Sequence, residues 1–269
     1  MIGFDNTPKI TKERIVQYLE EGKRFDRRDA EEFREIEIET GISKKSEGSA
    51  RVKIGDTEII VGVKMDTGTP YPDSPDKGNL MVSTELTPLS SSRFEAGPPK
   101  FSAIEVARVV DRGIRESKFI EFEKLCIKKG EKVWTVFVDI YTINDDGNLI
   151  DAAGIGAIAA LKNAKIPKYD DKKEAVLYGE LTNKGLPLSQ NIPIPITIYK
   201  IKNKLIVDPT REEEDSTDTR VTIGSSNGVI SSMQKGNSNV LTINEMSEIL
   251  DFNEKVWKKM FKKIEKFLK

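Results

Sequence analysis

The residues best suited to chemistry lie between two short apolar runs, Lys204–Val207 and Arg220–Gly224. The intervening stretch carries Glu212, Glu213, Glu214, Asp215 and Asp218. Strand, acidic loop, strand is a way to place several carboxylates at one sheet edge. There they could bind Mg²⁺ or act as general acid and base. The alternative is a solvated acidic hairpin loop. A second group is basic: Arg108, Arg112 and Arg115 fall at i, i+4 and i+7 of an expected helix. At about 100° per residue they share a narrow arc. Guanidinium groups in such a stripe bind phosphate oxygens in pairs. The alternative is a solvated face in which Glu105, Asp111 and Glu116 pair with them.

Composition excludes several chemistries. The 269 residues include no histidine and one cysteine, Cys126. Ser-His and Cys-His nucleophiles, His-ligated metals, thiolate clusters and an intrachain disulfide are therefore excluded. Lys plus Arg number 43 against 44 Asp plus Glu, a net charge of −1. Nucleic-acid binding would need a local patch rather than a global field. No apolar run reaches the length of a membrane span, and MIGFDNTPK lacks a signal-peptide core. A soluble, cytoplasmic protein with no membrane partner is expected.

The elements that would position these groups follow from periodicity. Thr7-Pro8 opens a first helix with Ile15, Val16 and Leu19 on one face and Gly22 as its stop. From Arg34 to Met65 apolar residues alternate, which predicts strands with a turn at Gly55-Asp56. Leu80–Leu86 reads as a strand, Ser90–Lys100 as an irregular loop and Ser102–Ser117 as a helix. Lys132–Ile143 has Trp134, Val136, Val138 and Ile140 on one face and Val133, Phe137 and Tyr141 on the other. That predicts burial between two layers. Asp151 is placed as the cap of an Ala- and Gly-rich helix, Ala152–Asn163. Lys168–Asn191 is polar and reads as a link. Four further strands follow, then a long helix opened by a capping box from Thr242 to Glu245. Strands followed by helices, twice, is an α+β plan. The expected organisation is an N-terminal helical segment (1–26), a first half (27–170) and a second half (171–269) ending in the long helix.

The segment from Lys204 to Gly224 resembles ribonuclease PH-like phosphorolytic exoribonucleases. In that family it carries two aspartates, one closing a Glu-Asp pair and one six residues later. The matching positions here are Glu214 and Arg220. The family's phosphate-binding Gly-Thr-Arg or Gly-Ser-Arg triplet precedes the Ala-rich helix. Counted back from Ile166-Pro167, it falls on Asn148-Leu149-Ile150, so Ile150 stands where the phosphate-binding cation should be. A guanidinium at position 220 can neither ligate Mg²⁺ nor take a proton at neutral pH. The chain is therefore similar to the non-catalytic ring subunit of the archaeal exosome.

That resemblance implies a ribonuclease PH fold of duplicated strand–helix halves with mixed sheets. It implies no catalytic or metal-binding residue here, and no cofactor in this subunit; phosphate and Mg²⁺ belong to an active homologous partner. It further implies a heterodimer with that homologue, a trimer of such dimers, RNA-binding cap subunits and single-stranded RNA as partners. Arg108, Arg112 and Arg115 become the expected RNA contacts, joined by Arg93 and Lys100. Two readings compete: an active phosphate-dependent exoribonuclease using Glu214, Asp215 and Asp218, and a ring scaffold without RNA contacts.

Overall fold

The protein is described by a computed structural model over residues 7–268. Residues 1–6 of the expected N-terminal segment and Lys269 lie outside the described residues. The chain runs α1 (Lys9–Glu20), β1 (Ile36–Thr40), β2 (Gly48–Ile54), β3 (Thr57–Gly68), β4 (Asn79–Glu85), α2 (Phe101–Glu116), β5 (Cys126–Lys128), β6 (Lys132–Asn144) and α3 (Leu149–Asn163). It continues with β7 (Lys165–Asp170), β8 (Ala175–Gly185), β9 (Ile194–Ile201), β10 (Lys204–Val207), α4 (Arg211–Asp215), β11 (Thr219–Ser226), β12 (Val229–Gly236) and α5 (Ile243–Ile264).

The first sheet has the order β1-β2-β3-β6-β4, with β5 beside β6; the β4–β6 pair is parallel and the others antiparallel. The second is antiparallel, β10-β9-β11-β12. Between the sheets lies α3, and its sequence explains how it fits. Ala152, Ala153, Ala157, Ala159 and Ala160 are buried together with Ile155 and Ile158. A Cβ on Gly156 would sit 2.7 Å from Ile59 Cδ1, and one on Gly154 would overlap the Pro195 ring of β9. Small residues on opposite sides let one helix approach both sheets closely. The core is thus continuous, from Val52, Val61 and Val138 through α3 to Ile196, Ile198 and Ile223.

The long helix α5 packs Ile249, Val256, Met260 and Ile264 inward, and the Trp257 indole N–H donates to the Ser225 carbonyl at 2.9 Å. Its Thr242–Glu245 capping box is formed. At the other end, α1 buries Ile15 and Leu19 against Tyr199, Ile201 and Ile206. Arg24, just beyond it, forms a paired, fully buried contact with Glu213 of α4. Among the described residues no helix is long and apolar enough to cross a membrane.

Four local expectations are corrected. The acidic segment is not a hairpin loop: β10 and β11 both pair with β9, and Arg211–Asp215 is a short helix capped by Thr210 and Glu213. Lys168–Asn191 is not a plain link but contains most of the β7–β8 hairpin. Asp151 does not cap α3, which begins at Leu149 after Asn148 in left-handed conformation (φ 59). The strand at 132–144 is buried along one whole face but only at the start of the other: Val133 is fully buried, whereas Phe137 is half-buried and Tyr141 is 39% exposed. Helix α3 packs on its inner face, and β8 reaches the outer face near β3, where Tyr178 lies by Lys64.

Candidate functional site: a cleft between the halves

The positions at which catalytic groups were expected come together. A cleft of about 590 Å³ is lined by Leu149 and Ile150 from α3, Arg211 and Glu214 from α4, and Arg220 from β11. Its other wall is Arg93, Phe94 and Lys100 from the loop before α2, with Glu105 from α2 itself. The turn Asp145–Gly147 and Asn148 aim the start of α3 at this cleft, so Ile150 presents an apolar side chain there. Its sec-butyl side chain has neither charge nor hydrogen-bond donor with which to hold orthophosphate.

Arg220 is a built-in part of the cleft wall. Its guanidinium donates to Glu105 Oε2 at 2.6 Å, while Gln234 Nε2 donates to the other oxygen at 3.0 Å. Arg220 and Glu105 are 16% and 13% exposed. Arg220 pairs across strands with Gly236, and a Cβ there would lie 2.8 Å from Nε and 2.9 Å from Cζ. The guanidinium thus lies over a strip of backbone that only glycine leaves free. Burial pushes the Arg220 pKa down, but the Tyr199 phenol and the Glu105 and Glu214 carboxylates hold it above its ordinary value.

The carboxylates of the acidic helix point in different directions. Glu214 accepts from the Asn148 backbone N–H at 3.0 Å and faces Arg211 at 3.4 Å. Asp215 accepts from Arg93 through both oxygens, from Arg211 at 2.8 Å and from Thr7 at 2.5 Å. Burial works against its charge, but the hydrogen bonds from Arg93 and Thr7 and the Arg211 charge hold the Asp215 carboxyl well below the usual range. Asp218 accepts from the Lys202 backbone N–H at 2.6 Å. Glu213 is buried with Arg24. Among the described residues no three acidic or thiol groups converge on a metal position. At the two positions matched to the family's active members, Ile150 offers phosphate no charge or donor and Arg220 cannot ligate Mg²⁺.

The candidate RNA contacts divide into two groups. Arg108 and Arg112 line a second groove, about 340 Å³, between α2 and β4. Both are exposed. Arg112 donates to Glu116 at 2.7 Å. Arg115 turns to the protein: it donates to both Asp111 oxygens, at 3.2 and 2.8 Å, and to the Leu80 carbonyl at 3.2 Å, and it lies over the Phe122 ring. The Asp111 hydrogen bond outweighs burial and raises its pKa. Arg93 is committed to Asp215, and the exposed Lys100 to Glu95.

Sequence reasoning missed the residues that hold this region together. Asp208, fully buried, accepts from Arg28 at 2.9 Å, from Arg34 at 2.8 Å and from Asn148 at 2.9 Å. It ties the charged connector, the start of α3 and the second sheet into one network. The Asp-Pro dipeptide after an apolar run marks a turn, but nothing local predicts three distant partners. Asp151 is buried beneath the same region and accepts from the Thr197 N–H at 3.1 Å and hydroxyl at 2.7 Å. Burial pushes its pKa up to about 7.

The chain is 48% identical over 246 residues to the exosome complex component Rrp42 of Thermococcus onnurineus, covering 90% of this chain and 89% of that protein. It is 45% identical over 247 residues to the Rrp42 of Methanocella arvoryzae, covering 91% and 92%. A solved structure described as the Archaeoglobus fulgidus exosome with RNA bound to the active site matches with a TM-score of 0.85 and 43% identity, over 95% of this chain and 98% of that one. An archaeal exosome core matches with a TM-score of 0.83 and 40% identity, over 97% of each chain. Residues 32–167 match domain 1 of the 3′ exoribonuclease family and residues 191–256 match domain 2. With both domains present and near-complete coverage of relatives above 40% identity, the chain belongs to the 3′ exoribonuclease family of ribonuclease PH-like proteins.

Proposed function

We propose that this chain is a ring subunit of an archaeal-type exosome that carries out no phosphorolysis itself. It pairs with an active ribonuclease PH-like homologue, as a trimer of dimers bearing RNA-binding cap subunits, in the cytoplasm. It shapes the partner's site and holds single-stranded RNA there for 3′-to-5′ degradation. Phosphate and Mg²⁺ act in the partner.

The observation that carries this reading is the Arg220–Glu105 ion pair in the wall of the cleft that Ile150 also lines. At the two positions that matter for the reading, the cleft carries Arg220 in place of a carboxylate and Ile150 in place of a phosphate-binding cation. The identity to Rrp42 components over some nine-tenths of each chain supports the assembly. RNA holding is assigned to α2, where Arg108 and Arg112 are exposed along one groove. Contacts of this kind read the backbone and carry little sequence preference.

The test is a side-by-side assay of the purified chain, its active homologue and their mixture, with RNA, phosphate and Mg²⁺. The chain alone should release no nucleoside diphosphate, and the mixture should outperform the homologue alone. Phosphate-dependent shortening by the pure chain that is lost in Glu214→Ala would overturn the reading.

A further inference from the structure

Of all the arginines on α2, Arg108 is the one whose acidic neighbours are both engaged elsewhere. On a helix, side chains three and four positions away are the ones that meet. For Arg108 those acids are Glu105 and Asp111. Each would otherwise form an intrahelical ion pair with it, as Glu116 does with Arg112 at 2.7 Å. Asp111 has both oxygens bound by Arg115. Glu105 has one bound by Gln234 of β12 and the other by Arg220 of β11. Arg108 is exposed on the groove and makes no hydrogen bond or ion pair among the described residues.

We propose that Arg220 is a positioning residue for RNA binding: by holding Glu105, it keeps Arg108 unpaired and available to a phosphate. This deepens the proposed function and rests on its assignment of α2 to RNA. The same side chain that stands in for a catalytic carboxylate thereby supports a different task. Without the Arg220 cation, Glu105 would be left at the cleft wall with one oxygen unbound. Arg108, which has no partner among the described residues, lies one helical turn away. A Glu105–Arg108 pair would remove the charge from the groove while leaving the helix intact.

The test uses the complex assembled with the active homologue, its size checked by sedimentation, and binding of a single-stranded RNA measured against salt. Arg108→Gln should weaken binding and flatten the slope of log K against log salt by about 0.7, the loss of one phosphate contact. Arg220→Gln should do the same, and adding Arg108→Gln to it should cost little more. Arg220→Lys, which keeps the charge facing Glu105, should hold the wild-type slope. Arg220→Gln with Glu105→Gln should recover it, because no acid is left to take Arg108.

Wild-type binding by Arg220→Gln, where Arg108→Gln is weak, overturns the proposal but leaves α2 as the RNA helix. A double variant as weak as Arg220→Gln also overturns it, making Arg220 only a clamp on α2. If Arg108→Gln itself has no effect, the assignment of Arg108 to RNA fails first. Should Arg220→Gln not assemble, the double variant Arg220→Gln with Glu105→Gln, which leaves no unpaired charge in the cleft wall, is the readout; a slope flattened as far as that of Arg108→Gln there overturns the proposal.

Discussion

Ile150 and Arg220 lie far apart in the chain yet line the same cleft. Each occupies a position where an active homologue is expected to carry a group essential to phosphorolysis. The two residues thus bear on one site rather than on two unrelated surfaces. Arg220 is also fixed in place, with Glu105 and Gln234 on one side and the bare backbone of Gly236 beneath.

Restoring the acid alone should therefore give no enzyme. Arg220→Asp would leave Ile150 unable to hold phosphate, and it would set a second carboxylate against Glu105. No nucleoside diphosphate should form in a phosphorolysis assay. Thermal melting should report a loss of roughly 2 kcal/mol, below the range for a fully buried pair because both residues are partly exposed. Measurable turnover from this single change would mean that the phosphate position is misassigned.

The close approach of α3 to both sheets yields a paired stability test. Gly154→Ala would drive a methyl group into Pro195. It should destabilise by about 1–3 kcal/mol, the usual cost of overpacking. Gly113→Ala on α2 meets nothing within 4 Å. It should be neutral or stabilise by about 0.5–1 kcal/mol, because alanine is the better helix former. Denaturant melts of the two variants, compared with the parent, measure both effects.

Asp151 predicts a pH dependence. Its folded pKa, about 7, lies above the ordinary carboxyl value because the group is fully buried. The contribution is fully present below about pH 4 and is lost as pH rises through about 7. Between those limits wild type should lose on the order of 4 kcal/mol on account of this group. Asp151→Asn mimics the protonated form and can keep the Thr197 contacts. The stability difference between variant and wild type should therefore move in the variant's favour from pH 5 to pH 8. A difference that stays constant across that range would place the Asp151 carboxyl near its ordinary value.

How much of this was legible in the sequence depended on the range of the interactions. Alternation in 34–65 and 132–143 located strands because one face of each is buried locally. The arginine spacing of 108, 112 and 115 located a helix and its face. What that spacing could not contain was the destination of each guanidinium. Arg115 is drawn away by Leu80 and Phe122, which lie outside its helix. Glu105 was read as a partner for its own helix, but it binds Arg220 from the second sheet. Asp208 gave no local sign of Arg28, Arg34 and Asn148. Asp151 looked like a cap because it precedes an alanine run, whereas the turn at Gly147-Asn148 starts the helix earlier. The capping box from Thr210 to Glu213 was readable, and would have shown a helix in place of the acidic loop.

We propose that this chain holds RNA through α2 without performing the reaction. This is tested most directly by RNA binding against salt for the assembled ring carrying Arg108→Glu with Arg112→Glu. Glutamate forms helix nearly as well as arginine, and both positions are exposed, so the ring should still assemble. Affinity should fall, and the slope of log K against log salt should flatten by roughly 1.4, two phosphate contacts of about 0.7 each. An intact variant ring that binds RNA with the wild-type affinity and slope would contradict the account and leave the subunit a scaffold.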